Sequence, residues 1–259
     1  MRLAHIVPTP LLDEVLSAED RTHLVVASQL KDDSYRRFYH NRGVRGDHII
    51  VDSDVFETGQ VANMYDLITA ARTVHAKTLI LPDAWGEDGG NARATIDLAL
   101  NCGRTVRDAL PHIKTIGVAH GRSWPEYAAC VGALDALWSV DHIGLVEEAH
   151  LYGRTRAELI HDVAEITRKP LHLNGLSESF CEFSLPSETL DRVATCDASK
   201  VVVWGLNGFA CLPNLVPSKY PGRKSLGGRV GYFDYHTDNR EHIEHARHNI
   251  AAWREYLEG

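Results

Sequence analysis

Short apolar runs alternate with amphipathic stretches along almost the whole chain. The runs are Leu3-Ala4-His5-Ile6-Val7, His23-Leu24-Val25-Val26-Ala27, His48-Ile49-Ile50-Val51, Thr78-Leu79-Ile80-Leu81, Thr115-Ile116-Gly117-Val118-Ala119, His142-Ile143-Gly144-Leu145-Val146 and Leu171-His172-Leu173-Asn174. Continuous apolarity of this length reads as a strand buried on both faces, the kind that builds parallel sheets. Between the runs lie helical patterns at about 11–16, 32–42, 61–74, 92–110, 123–137 and 155–167, and a last one at 239–257. In the third of these Met64, Leu67, Ile68 and Ala71 fall at helical spacing. The eighth strand has two candidates. Val193 to Cys196 would end at Asp197, whereas Lys200-Val201-Val202-Val203-Trp204 is the better β former. We take the first, because it puts a carboxylate at the strand exit as strands three and four do. Eight alternating units in 259 residues predict a (β/α)8 TIM barrel, one domain over 1–259. The runner-up, an open doubly wound sheet, lacks a GxGxxG after its first strand.

In such a barrel the site lies at the carboxyl ends of the strands. That rule gathers Asp52, Asp83, His120, Glu147 or Glu148, Asn174 and Asp197 around one mouth. An Asp after a strand is commonly the N-cap of the next helix. Three of them, with Phe56 and Trp85 close behind two, weigh against that reading. The Gly86-x-x-Gly89-Gly90 loop lacks the Lys-Ser/Thr of a phosphate loop, so its glycines read as flexibility. His242, His245 and His248 drift around their helix and read as a solvated face.

Composition narrows the picture. With 44% hydrophobic and 24% charged residues, a sizeable core is affordable and disorder is not expected. A formal charge of −8 argues against a generally basic nucleic-acid coat but leaves room for a local funnel. Lys219, Arg223, Lys224 and Arg229, in the Pro/Gly-rich excursion at 213–228 and just beyond it, are the candidate phosphate contacts. Arg36, Arg37, Arg42 and Arg45 form a second basic group, read rather as solvated charge. No apolar run approaches a membrane span and the first residues do not open a signal peptide, so the cytoplasm is expected. The five Cys are scattered without a CxxC pair, which reads as reduced thiols and no zinc site.

In order along the chain, these segments resemble the tRNA-guanine transglycosylase superfamily, and most its small phage and bacterial branch that inserts 7-deazaguanines into DNA. Asp52-Ser53-Asp54-Val55-Phe56-Glu57 is similar to the D-S-G-G-F/Y-Q segment, and Leu81-Pro82-Asp83 to the base-reading Asp after strand four. Val118-Ala119-His120-Gly121-Arg122-Ser123 resembles V-x-Q-G-x-S, Ile143-Gly144-Leu145 resembles G-G-L, and Leu173-Asn174-Gly175 resembles L-M-G. Cys196-Asp197-Ala198-Ser199 resembles the nucleophile segment. The likeness spans about 47 to 208. Asp54 and Val55 stand where the family has two glycines, Glu57 and His120 where it has Gln, and the zinc segment of the tRNA enzymes has no counterpart.

The resemblance implies exchange of guanine in DNA for a 7-deazaguanine base such as preQ0, through a covalent intermediate and without a cofactor. Asp197 is then the nucleophile and Asp52 the general acid and base. Asp83 reads the guanine edge, Phe56 and Trp85 stack on the flipped base, and His120, Gly121, Gly144, Leu145 and Asn174 line its pocket. The partners implied are DNA with a flipped guanine and the free base; a homodimer is compatible with this, and in a phage-encoded chain the compartment is the host cytoplasm. Two other classes stay open: a metal-dependent barrel hydrolase using Asp and His ligands, and an inactive barrel that binds nucleic acid as a subunit.

Overall fold

The computed structural model describes residues 1–86, 89–176, 181–211 and 231–258, without the side chains of Phe56, Glu57, Cys181 and Glu258. Eight strands follow one another around a closed, all-parallel barrel. They are β1 (Arg2–His5), β2 (Thr22–Val26), β3 (His48–Asp52), β4 (Thr78–Ile80), β5 (Lys114–Val118), β6 (His142–Leu145), β7 (Leu171–Leu173) and β8 (Val193–Ala198). Closure comes from β8 pairing with β1, Leu3 opposite Cys196 and Ala4 opposite Asp197. The TIM barrel expected from the alternation is therefore the fold.

The outer layer consists of α1 (Leu12–Val15), α2 (Asp33–Val44), α3 (Val55–Thr58), α4 (Met64–Thr73), α5 (Ala92–Ala109), α6 (Trp124–Ala136), α7 (Arg156–Ile166), α8 (Ser187–Leu190), α9 (Lys200–Leu206) and α10 (Arg240–Glu258). Several begin where local chemistry satisfies their free amides. Asp32 caps α2, Asn91 caps α5 and Ser123 caps α6, while Thr155 and Glu158 form a capping box on α7. No helix among the described residues is long and apolar enough to cross a membrane.

The choice at strand eight holds, and its rival is a helix. Val201, Val202, Trp204 and Gly205 of α9 are buried, and a Cβ built on Gly205 would stand 2.2 Å from the Cα of Ala246 in α10. A helix buried on most sides can be apolar all round, so its β-branched run mimics a strand.

Strand parity decides what faces inward. His48 Nε2 meets the Thr78 hydroxyl at 3.2 Å and its Nδ1 lies 3.5 Å from Arg2 Nη1. A Cβ on Gly144 would meet Val118 Cγ2 at 2.8 Å and Ile116 Cγ2 at 3.0 Å. His23, by contrast, faces out, edge-on to Tyr39 of α2 at 5.6 Å. Barrel interiors are usually filled with branched aliphatics. This one carries His48, Thr78, His172 and Thr195, in a layer nearer the amino ends of the strands. Burial, aided by the charges of Arg2 and Lys77, lowers His48 to about 4, so it is neutral there.

Candidate active site

The three carboxylates singled out in the sequence all sit at the carboxyl ends of their strands, and none of them caps a helix. Asp52 is the last residue of β3 and half-buried. Asp83 follows β4, but the cap of α5 is Asn91, whose Oδ1 accepts from Ala94 N at 3.0 Å. Asp197 lies within β8, and the residue before α9 is Ser199. Helix capping therefore does not account for these three positions.

Asp197 is held from two sides. Its Oδ1 accepts from Gly175 N–H at 3.0 Å, and its Oδ2 lies 3.1 Å from His172 Nε2. The second nitrogen of that ring, Nδ1, is 2.8 Å from Thr195 Oγ1. His172 is fully buried, and the register of β7 and β8 sets it opposite Thr195 after a bulge.

Asp83 and His120 are in contact. Nε2 of His120 stands 3.1 Å from Asp83 Oδ1, within ion-pair range though off the line of a hydrogen bond. Oδ1 also accepts from Trp85 N–H at 3.1 Å, and both residues of the pair are almost wholly buried. Gly89 and Gly90, in the loop between Asp83 and α5, have a packing reason that their sequence reading as flexibility did not include. Gly89 and Gly90 have φ of 101° and 74°, and Gly121 N–H donates to Gly89 O at 2.9 Å. A Cβ on Gly89 would lie 2.2 Å from Gly121 O, and one on Gly90 would lie 3.1 Å from His120 Cγ and Nδ1. These glycines are there so that one loop can lie against the other. The Gly121 amide is committed to that contact.

Asp54 occupies a left-handed conformation, φ 64°, just ahead of α3. That backbone suits glycine and is tolerated by Asp, which accounts for an Asp at a position where the resembled family has Gly. Its Oδ2 accepts from Ser28 N–H at 2.5 Å, while Oδ1 is buried without a hydrogen-bond partner. Burial pushes its carboxyl up to about 6, against the bonds from Ser28 and Ala27. The neighbouring Ser53 hydroxyl and the Asn174 Oδ1 are also buried without a partner.

On the β6–β7 side, Gly144 leaves space inside the barrel where any side chain would strike Val118. Leu145 O accepts from Asn174 N at 2.9 Å and from Arg156 Nη2 at 3.0 Å. Glu147 pairs with Lys200 at 3.2 Å; burial raises its carboxyl, against that Lys charge. Glu148 precedes a single-turn helix, Ala149–Tyr152.

Other expectations fare differently. Arg42 is not the solvated charge expected of its group, because its guanidinium is buried against Ser17 O at 2.6 Å and Asp20 O at 3.0 Å. Arg36 pairs with Asp33 at 2.5 Å. Lys219, Arg223, Lys224 and Arg229 lie outside the described residues, as does the Phe56 ring. His242 packs under Gly208, and His248 Nε2 meets Cys211 O at 3.1 Å, so these two are not merely solvated. Among the described residues, no three His, Cys, Asp or Glu are grouped to hold a metal ion.

Sequence reasoning assigned no part to His172, Arg156 or Lys200. Strand parity put His172 beside Asn174 and Thr195 beside Asp197, and only the register between β7 and β8 was needed to join the two pairs. No protein-family model matches this chain, and no curated protein matches it.

Proposed function

We propose that this barrel is a base-exchange glycosyltransferase that replaces guanine in DNA with a 7-deazaguanine. The observation that carries the reading is Asp197, a carboxylate inside the barrel mouth whose two oxygens are held by an amide and an imidazole. Among the described residues no Lys or Arg forms an ion pair with it. Such a group keeps its charge for an electron-poor carbon, and the order of the resembled segments along the strand ends supports the choice of reaction.

Cleavage of the N-glycosidic bond builds positive charge at C1′ of the deoxyribose. Asp197 stabilises that charge and closes on C1′, forming an ester-like bond as the C1′–N9 bond breaks. Asp52 gives its proton to the departing guanine and then takes the N9 proton of the incoming base. The N9 nitrogen of that base displaces Asp197, and both carboxylates return to their starting states. Asp83 accepts hydrogen bonds from the guanine N1–H and amino group, which an acceptor-only side chain can do for both. His120, in contact with Asp83, is placed at the same edge of the base. The target must leave its stack, so single-stranded DNA is expected to serve at least as well as duplex.

The test is incorporation of labelled guanine into a guanine-containing oligonucleotide by the purified chain. Label in the DNA supports the reading. Label appearing only in tRNA would move the substrate to RNA, and label in neither would overturn the proposal and leave the metal-dependent hydrolase and the nucleic-acid-binding subunit.

A further inference from the structure

Base exchange by two carboxylates gives no task to His172, although its ring touches the nucleophile. A role for it rests on the transglycosylase reading for the identity of the reaction but not for the geometry. His172 is fully buried between β7 and β8, with Nδ1 2.8 Å from the Thr195 hydroxyl and Nε2 3.1 Å from Asp197 Oδ2. Thr195 and Asp197 alternate on one face of β8, so the three groups form a line inside the barrel.

An ionised carboxylate can only accept, so the hydrogen between Nε2 and Oδ2 belongs to the ring. A neutral ring with Nε2 protonated leaves Nδ1 as an acceptor, and a threonine hydroxyl can donate to it. Asp197, which can only accept, sets that tautomer, and the Thr195 hydroxyl donates to the nitrogen left bare. Gly175 N–H fixes the other oxygen at 3.0 Å. A cation in place of the imidazole would stabilise the ground-state carboxylate and oppose transfer of its charge to C1′. A neutral donor orients the group without neutralising it.

We propose that His172 is a positioning residue for Asp197, its ring held from behind by Thr195, and that together with the Gly175 amide it fixes the direction from which the carboxylate meets C1′. Orientation of this kind matters because a nucleophile must lie within a narrow range of distance and angle before attack. The ring nitrogens of His172 are taken by Thr195 and Asp197. The residue acts through Asp197.

Two measurements test this, the first independent of any activity. Nitrogen NMR of the imidazole rings, with the His172 signal assigned by its loss in His172→Gln, should show a proton on Nε2. A His172 ring bare at Nε2 in the unaltered protein would overturn the proposal. In single-turnover reactions with a guanine oligonucleotide, His172→Phe should slow covalent adduct formation by about 10- to 100-fold, the effect of losing a hydrogen bond to a charged group. DNA affinity should not change, and His172→Gln, whose amide reaches toward Oδ2, should recover most of the rate. Adduct formation in His172→Phe at the unaltered rate would overturn the proposal. If the unaltered chain forms no adduct at all, the transglycosylase reading falls, and the Nε2 proton alone decides whether His172 positions Asp197.

Discussion

The two ends of the barrel treat their carboxylates in opposite ways. At the amino-terminal end Asp47 receives Arg21 at 3.1 Å, His23 at 3.3 Å and Arg42 at 3.5 Å. Burial alone would raise its carboxyl, but these partners outweigh it and the net shift is downward. Asp141 at the same end takes Arg107 at 2.5 Å, Thr115 N–H at 2.8 Å and Lys114 at 3.3 Å, again with burial outweighed. At the carboxyl-terminal mouth, burial wins at two carboxylates. Asp54 is pushed up to about 6 and Glu147 is raised, while Asp197 has an imidazole and an amide in place of a guanidinium. Saturated carboxylates hold strand ends together, and under-satisfied ones are available for a substrate. The contrast separates an end whose carboxylates are saturated from the end where the proposed site lies.

That division can be broken by exchanging the sites of mutation. Asp47→Ala leaves Arg42 and His23 without their shared acceptor, and breaking a buried pair costs about 3–5 kcal/mol. Asp197→Asn keeps an acceptor for Gly175 N–H and should cost less than half as much. Urea unfolding of both variants measures the difference, and a larger loss for Asp197→Asn would reverse the assignment of the two ends.

Two buried histidines shape the response to acid. His48 and His5 are lowered to about 4, each first by burial, so folding favours their neutral forms. The unfolded chain binds these protons first, near its ordinary value of about 6.5. Stability is therefore full above about 6.5 and is lost as pH falls toward about 4, by on the order of 2 kcal/mol per ring. His48→Gln should flatten that loss in denaturant titrations, and an unchanged slope would contradict the assignment.

Asp54 gives the opposite sign and a smaller effect. Its carboxyl is raised from 3.8 to about 6, so its ionisation opposes folding as pH rises through that window. Asp54→Asn, which also tolerates the left-handed backbone, should add about 1–2 kcal/mol of stability above about pH 6 and almost nothing below about pH 4. Equal gains at both pH values would point to the backbone rather than the charge.

Much of this architecture is legible in the sequence, because a strand buried on both faces announces itself without knowledge of its partners. His48-Ile49-Ile50-Val51 and Thr78-Leu79-Ile80-Leu81 give both the strand and the carboxylate at its end. What is hidden is whatever depends on a neighbour distant in sequence. The Val201 to Trp204 run imitates a strand because α9 is buried against α10. Gly89 and Gly90 imitate a flexible loop because the surface they lie against belongs to Gly121 and His120. His172 imitates a stray core histidine until β8 brings Thr195 and Asp197 to it. The left-handed turn at Asp54 could have been suspected from the glycine in the resembled motif, but not the isolation of its Oδ1.

The central claim is that Asp197 forms the covalent bond and Asp52 moves the protons. A guanine-containing oligonucleotide incubated with each variant and run on a denaturing gel tests it directly. Asp52→Ala should give a slow-forming, long-lived protein–DNA adduct, because nothing activates the second base, and Asp197→Ala should give none. An adduct with Asp197→Ala and none with Asp52→Ala would mean that the two roles are exchanged, and an adduct with both would mean that the nucleophile is another residue of the mouth.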